Sequence, residues 1–205
     1  MPILHRAALG ICAPLALAAA ASAQSRAEPD YPLEAVLTAA RQLCASAPTV
    51  EAAARGPLPA GWKLVLPARG SWLAQYLREN EQVASGFTAE ADAFTATVRG
   101  RALEAIVSTS KGPPLQLEST TCEVMDRDAI LSPDDARIGR WAGRPPALGR
   151  RDYLPGLYGW AWKPGLHPGS GDTTVNYVTA SAAEAAGLRT GLTYLAITLS
   201  RQTSK

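Results

Sequence analysis

Three aromatic residues at alternate positions form the clearest candidate binding surface in the sequence. In the stretch YGWAW, Tyr158, Trp160 and Trp162 are separated only by Gly159 and Ala161. On a β-strand this spacing places all three rings on one face. Such a row can stack on sugars, peptides or other rings, and it can equally fill a core, because large rings dominate both settings. The sequence leaves both interpretations open.

Arginine residues around this stretch favour the binding interpretation. The flanking segment also contains Trp141, Tyr153, Arg140, Arg144, Arg150, Arg151 and Lys163. Guanidinium groups lie favourably over aromatic faces, so rings interleaved with arginine suit contact with a glycan, a peptide or a partner protein. The candidate binding residues are therefore Tyr158, Trp160, Trp162, Arg150 and Arg151.

The segment GLHPGSGD is the other place whose residue types allow chemistry. It brings His167, Ser170 and Asp172 close in sequence. A nucleophilic triad needs a base that contacts the hydroxyl and a carboxylate on the far ring nitrogen. A tight Pro-Gly loop rarely supplies that geometry, and the hydrolase sequence G-x-S-x-G is absent. For these reasons a hydrolase is only the alternative function, and His167 and Asp172 are the residues that it would use.

Metal and nucleic-acid chemistry are not indicated. The chain has two histidines, one of them in the N-terminal segment, so a multi-histidine zinc site is excluded once that segment is removed. Acidic residues gather at Glu123, Asp126, Asp128, Asp134 and Asp135. The D-x-D-x-D-G loop of calcium proteins is missing, and helix capping explains Asp134 and Asp135. We expect no metal or cofactor, and the net charge of +2 is too small to indicate nucleic acid.

The first residues have the organisation of a secretory signal peptide. Arg6 precedes an apolar run over residues 7–20, and the sequence ASA then ends at Ala23. Lipoprotein processing at Cys12 is the competing interpretation, disfavoured because the residue before it is not small. We expect cleavage after Ala23 and a single periplasmic or secreted domain over residues 24–205. No later apolar run reaches the ~18 residues of a membrane span.

Two cysteines remain after that cleavage, Cys44 and Cys122. In an oxidising compartment such a pair predicts one disulfide, whereas in the cytosol it would indicate two buried thiols. A redox couple is disfavoured because the C-x-x-C spacing is absent.

The helices that must position these residues are marked by hydrophobic spacing and by caps. A first helix is predicted by the helical spacing of Leu33, Val36, Leu37, Ala40, Leu43 and Cys44. Further helices are expected over residues 50–55, from a Ser71 cap to Gly86, from a Ser132 cap to about Gly143, and from a Ser181 capping box to Gly187.

The strands between them indicate an antiparallel sheet. Strands are predicted at residues 63–66, 94–98, 103–107, 115–124, 157–162, 173–179 and 192–199, with long loops in the rest of 144–171. If Arg99 and Gly100 form a two-residue turn, the numbers of residues paired across the two strands sum to 199. A three-residue bulged loop, for which these numbers sum to 198, is the alternative. A bulge or a strand break is expected within residues 118–121, and Leu195, Ile197 and Leu199 are expected to face inward.

This pattern predicts an α+β fold with a largely antiparallel sheet of about five to six strands and N-terminal helices packed on one face. The chain resembles small uncharacterised exported proteins of alphaproteobacteria. Four features carry the resemblance: the export segment, the helix end RQLCAS, the sequence PAGW at 59–62 and the strand TTCEV. The resemblance covers residues 24–125 and implies export and a disulfide, without an activity. We therefore expect a noncatalytic exported envelope protein that binds a glycan, peptide or partner protein. The alternatives are a periplasmic hydrolase using His167 and a structural envelope protein without a ligand.

Overall fold

An eight-stranded antiparallel sheet is the centre of the computed structural model, which describes residues 31–46, 56–81, 88–112, 117–130, 134–187 and 189–201. The strands are β1 (Lys63–Val65), β2 (Thr88–Val98), β3 (Arg101–Gly112), β4 (Leu117–Asp126), β5 (Leu148–Leu154), β6 (Leu157–Trp162), β7 (Asp172–Val178) and β8 (Gly191–Arg201). The helices are α1 (Leu33–Ser46), α2 (Trp72–Glu81), α3 (Asp135–Ala142) and α4 (Ala180–Ala186). The predicted signal peptide and the predicted helix over residues 50–55 lie outside the described residues.

The strand order β1-β2-β3-β4-β8-β7-β6-β5 divides the sheet into two halves of four strands each. Within each half the strands are neighbours in chain order, and the halves join where β4 pairs with β8. All neighbouring strands are antiparallel, which confirms the predicted α+β class, whereas the expectation of five to six strands is wrong. The loop prediction for residues 144–171 missed β5, whose pairing with β6 is irregular.

One face of the sheet, the core face, carries the main hydrophobic core. One row of register partners across it contains Phe94, Ala105, Val124, Tyr194, Val175 and Trp160, all of them buried. The predicted helical stripe of α1 is buried against this face, together with Ile138 and Ala142 of α3. Most of the buried residues lie between this face and its helices, because the apolar side chains along the strands of both halves point to this side.

The opposite face of the sheet is covered by α2 and α4, and it is named the groove face because a groove lies on it beside α2. Leu73 and Tyr76 of α2 pack with Ala93, Ile106 and Met125, while α4 packs its alanines on Val178. The expectation that the N-terminal helices share one face is therefore wrong for α2. The uninterrupted apolar sequence Ala105-Ile106-Val107 explains this, because a strand covered on both faces loses its alternation.

The predicted disulfide is confirmed and joins α1 to the sheet. Cys44 lies at the end of α1 and Cys122 on β4, with an Sγ–Sγ distance of 2.04 Å and a Cα–Cα distance of 5.5 Å. Both cysteines are buried. The first helix is thereby attached covalently to a central strand.

The β2–β3 turn follows the predicted register. Ala96 pairs with Leu103, and Arg99 and Gly100 adopt φ values of 49° and 81°, as a two-residue turn with positive φ requires. The predicted bulge in β4 is wrong, since this strand pairs continuously with β3 and β8. No extra residue is needed, because both faces of β4 are covered by other elements.

The prediction of which alternate residues of β8 face the core was also wrong. Leu192, Tyr194 and Ala196 face the core, whereas Leu199 is 59% exposed. Apolar residues occupy both parities of this strand, so alternation alone selects no face.

Two helix starts differ from the predicted positions, although both helices end as expected. The side chain of Asp134 caps α3 by accepting a hydrogen bond from the Arg137 N–H at 2.7 Å, in place of Ser132, which is outside the described residues. Thr179 caps α4 in place of Ser181. Among the described residues, no helix is both long and apolar enough to cross a membrane.

Replacing Cys44 and Cys122 together with serine should lower the free energy of unfolding. The bond closes a segment of 78 residues, for which the chain-entropy model gives an upper value of about 4.5 kcal/mol. Urea denaturation of the oxidised protein, the reduced protein and the double variant measures the difference. A reductant should destabilise the wild type and leave the variant unchanged; equal stability of all three would contradict a structural role for the bond.

Candidate functional site

The two tryptophans of the YGWAW stretch lie in the core. Trp160 and Trp162 are each 1% exposed. The indole N–H of Trp160 donates to Asp135 Oδ1 at 2.6 Å, and that of Trp162 donates to the Arg144 carbonyl at 3.3 Å. Core packing therefore accounts for both rings, and neither presents a face on which a ligand could stack.

The remaining members of the predicted binding set form a smaller surface cluster. Tyr158 is half-buried and stacks on Tyr177, with ring centroids 6.3 Å apart. The guanidinium carbon of Arg150 lies 4.1 Å from the Tyr158 ring centroid. Arg151 is exposed on the edge strand β5. The protein's own side chains thus occupy the Tyr158 ring, and the structure does not assemble the five predicted residues into one platform.

His167, Ser170 and Asp172 do not form a nucleophilic triad. The His167 Nε2 atom lies 2.5 Å from the Tyr194 hydroxyl, while Ser170 Oγ donates to the His167 carbonyl at 2.9 Å. Asp172 lies 3.6 Å from the Lys163 ammonium. Burial, with a smaller contribution from Arg41, lowers the pKa of His167 to about 4. The imidazole contacts the Tyr194 hydroxyl, while Ser170 and Asp172 make their side-chain contacts elsewhere, with the His167 carbonyl and with Lys163.

The acidic residues singled out from the sequence are distributed over several separate contacts. Asp126 is 2% exposed and accepts two hydrogen bonds from Arg101, at 2.8 and 2.7 Å, and one from the Tyr31 hydroxyl at 2.7 Å. Asp134 caps α3 and Asp135 accepts from Trp160. Within the described ranges, no three histidine, cysteine or acidic side chains are grouped so that they could hold a metal ion.

A groove on the groove face lies between α2 and the segment that follows α4. Its volume is about 730 Å³. Trp72, Tyr76 and Glu79 of α2 form one wall, and Leu157 and Val178 contribute apolar surface on the other side. Glu123, Asn176 and Thr193 project from three neighbouring strands, and Arg189 follows α4. The groove therefore combines aromatic, apolar, amide and charged groups.

Strand register explains how Glu123 reaches this groove. Its neighbours in sequence, Cys122 and Val124, are buried on the core face, so Glu123 points to the opposite face beneath α2. There the Tyr76 hydroxyl donates a hydrogen bond to its carboxylate. Asn176 and Thr193 are register partners on β7 and β8, which places their side chains side by side.

Burial makes Glu123 chemically distinctive. Desolvation raises the pKa of its carboxyl to about 7, opposed by the positive charge of Arg189. This carboxyl can therefore change its charge near neutral pH. It is the feature of the groove with the strongest link to ligand binding, because perturbed acids in concave sites are typical of functional groups.

One arginine, Arg189, lines the groove, and a second, Arg127, lies over the Trp72 ring beside it; each is held by a carboxylate. Arg189 places its guanidinium carbon 3.4 Å from the Tyr76 ring centroid and pairs with Glu79 at 2.9 Å. Arg127 lies 4.6 Å from the Trp72 centroid and pairs with Glu104 at 2.6 Å. These contacts fix the rings and leave the guanidinium charges compensated.

Sequence reasoning did not single out Glu123 as a site residue. It considered this residue only as one of several acidic residues near β4. The available signal was an acid between two apolar residues, Cys122 and Val124, in the middle of a predicted strand. That signal becomes specific only when α2 and α4 are placed over the same face.

Comparisons of the chain with protein-family models, with curated proteins and with solved structures found no match. No activity is therefore transferred from another protein, and the chemistry of the groove is the basis for assigning a function.

Titration of Glu123 should make stability depend on pH. The folded protein holds this proton up to a pKa of about 7, against 4.5 for an ordinary glutamate, so the wild type loses stability as pH rises between these values. A Glu123→Gln variant has no such loss. Relative to the wild type it should gain stability from pH 4.5 to 7 and then stay level, as measured by urea denaturation.

The matched control is Glu184→Gln, which removes an exposed carboxylate on α4. Its stability difference from the wild type should not vary over the same range. A constant difference for Glu123→Gln would contradict the assignment of a raised pKa to Glu123.

Proposed function

We propose that this chain is a noncatalytic binding protein whose ligand occupies the groove between α2 and the segment that follows α4. The observation that carries the proposal is the half-buried Glu123 carboxyl at the floor of a groove of about 730 Å³. Ligand pockets are typically ~300–1,000 Å³ in volume and combine apolar walls with a few polar groups that fix orientation. The groove fits both conditions.

The expected class of ligand stays the one drawn from the sequence, a glycan, a peptide or a segment of a partner protein. The proposed location moves from Tyr158, Trp160 and Trp162 to Trp72 and Tyr76. Trp72 is half-buried rather than enclosed, and its ring lies 5.3 Å from that of Tyr76. Aromatic rings beside amide and carboxyl groups supply both apolar contact surface and directional hydrogen bonds.

A hydrolase that uses a carboxylate pair is the second candidate. Glu79 and Glu123 both line the groove, and paired carboxyls with different pKa values perform acid–base hydrolysis of glycosides. The binding proposal is preferred because Glu79 is engaged by both Arg189 and Gln75, at 2.9 Å each. Turnover of a glycan that is lost in Glu123→Gln while binding persists would favour the hydrolase.

We further propose that the protein is exported and that its N-terminal segment is removed near Ala23. The disulfide supports this location, because structural disulfides persist in oxidising compartments such as the periplasm. The alternative of a structural envelope protein without a ligand applies if the groove proves empty of any binding activity.

A ligand screen tests the groove directly. Fragments that include neutral sugars, short peptides, amines and carboxylates are added to the isotopically labelled protein, and amide chemical shifts are followed by NMR. At least one class should shift the amides of Tyr76, Glu123, Asn176 and Thr193 together. Thr193→Trp fills the groove and should abolish these shifts.

Thr121→Trp is the matched control, because it adds the same ring to the groove face of β4 outside the groove lining. Binding should survive this substitution. If no fragment class shifts the groove amides, or if Thr193→Trp leaves binding intact, the proposed function is wrong.

Export is tested by expressing the full chain in a Gram-negative bacterium and determining the N-terminus of the purified protein by mass spectrometry. Cleavage at the A-x-A sequence should leave Gln24 as the first residue of a periplasmic protein. An N-terminus at Cys12 carrying lipid would support the lipoprotein alternative. An intact Met1 in the cytoplasmic fraction would contradict export.

A further inference from the structure

Charge compensation around the groove is uneven. Two acids line the groove, Glu79 and Glu123, and the Glu79 carboxylate is paired with Arg189 at 2.9 Å. Among the described residues, Glu123 forms no ion pair, and its one hydrogen-bond donor is the neutral Tyr76 hydroxyl. When Glu123 is ionised, it is therefore the acid of the groove whose charge lacks a cation in direct contact.

The surroundings of Glu123 restrict the chemistry of a ligand that could compensate this charge. Ile106 and Leu195, the register partners of Glu123 on the adjacent strands, are apolar. Leu157 and Val178 add an aliphatic wall to the same groove. A ligand with a positively charged end and an apolar body matches this arrangement, because an unpaired carboxylate is costly to bury and a cation in contact with it offsets that cost.

We propose that the groove binds molecules carrying a protonated amino group and that this group pairs with the Glu123 carboxylate. The inference rests on the proposed function and specifies its ligand class. The apolar body of the ligand lies along Leu157 and Val178, while Asn176 and Thr193 offer hydrogen-bonding groups beside the charged end.

An anionic ligand fits the same groove less well. It would meet the carboxylates of Glu79 and Glu123, and the guanidinium group that lines the groove, that of Arg189, is already engaged by Glu79. Arg189 is further held over the rings of Tyr76 and Trp72, with its guanidinium carbon 3.4 and 5.4 Å from their centroids. Releasing Arg189 breaks an existing pair, whereas a cation at Glu123 breaks none.

Binding of an amine should be coupled to the release of a proton. A cation beside Glu123 favours the ionised carboxyl, so a protonated Glu123 loses its proton to solvent when the ligand binds. The titratable and charged groups facing it are Tyr76 and Glu79 from α2 and Arg189 after α4. Burial raises the pKa of Glu123 to about 7, so affinity for an amine should increase as pH rises from 6 to 8.

The experiment compares three probes of equal length, hexylammonium, 1-hexanol and hexanoate, by NMR titration of the full folded protein at pH 6 and pH 8. Hexylammonium should shift the groove amides at lower concentration than either other probe, and its affinity should be higher at pH 8. Glu123→Gln should weaken this binding by about 10-fold or more and remove its pH dependence, as expected for loss of a buried charge partner.

Glu79→Gln is the matched control, since it removes the other groove carboxylate, which is partly exposed. It should weaken binding by less than about 3-fold, as typical of exposed ion pairs. Preference for hexanol or hexanoate in the groove would overturn the amine inference and leave the proposed function standing. Failure of all three probes would also overturn it, and the fragment screen then decides whether the groove binds any ligand.

Discussion

The pairing of β4 with β8 is the interaction on which the remaining structure depends. It runs from Leu117 opposite Arg201 to Asp126 opposite Leu192 and is the junction between the two halves of the sheet. A Cβ atom at Gly191, where φ is 97°, would lie 2.1 Å from the Asp126 carbonyl oxygen. Glycine is therefore needed where β8 begins beside β4. Both the core row and the groove floor cross this junction, so neither exists without it.

Local features of the fold and the disulfide could be read from the sequence, whereas the long-range pairing of strands could not. The Arg99-Gly100 turn has its own residue signal, and the stripe of α1 together with Cys44 follows from helical spacing. The β4–β8 pairing has no such signal, because it joins segments about seventy residues apart along the chain and turn chemistry does not specify it. Alternation also fails where both faces are covered, which is why a bulge was predicted in β4 and the wrong parity in β8.

The same limit separates the predicted site from the observed groove. Alternation correctly places Tyr158, Trp160 and Trp162 on one face, yet it does not say whether another element covers that face. The cover comes from α1 and α3, and Asp135 of α3 even accepts the indole hydrogen bond of Trp160. The groove likewise requires α2, four strands and the segment after α4 to meet. Its residues are unremarkable one by one, and their combination appears only in three dimensions.

Two acids on β4 show how the same kind of side chain serves structure in one place and is suited to binding in another. Asp126 and Glu123 are three residues apart and so point to opposite faces. Asp126 is enclosed with Arg101 and Tyr31, which satisfy its charge and tie β3 and the start of the described chain to the end of β4. Glu123 has a tyrosine hydroxyl and an open groove in front of it. An apolar residue at 123 would extend the hydrophobic contact beneath α2 without the desolvation cost of a carboxyl, and that cost is the physical argument for the proposed binding role of Glu123.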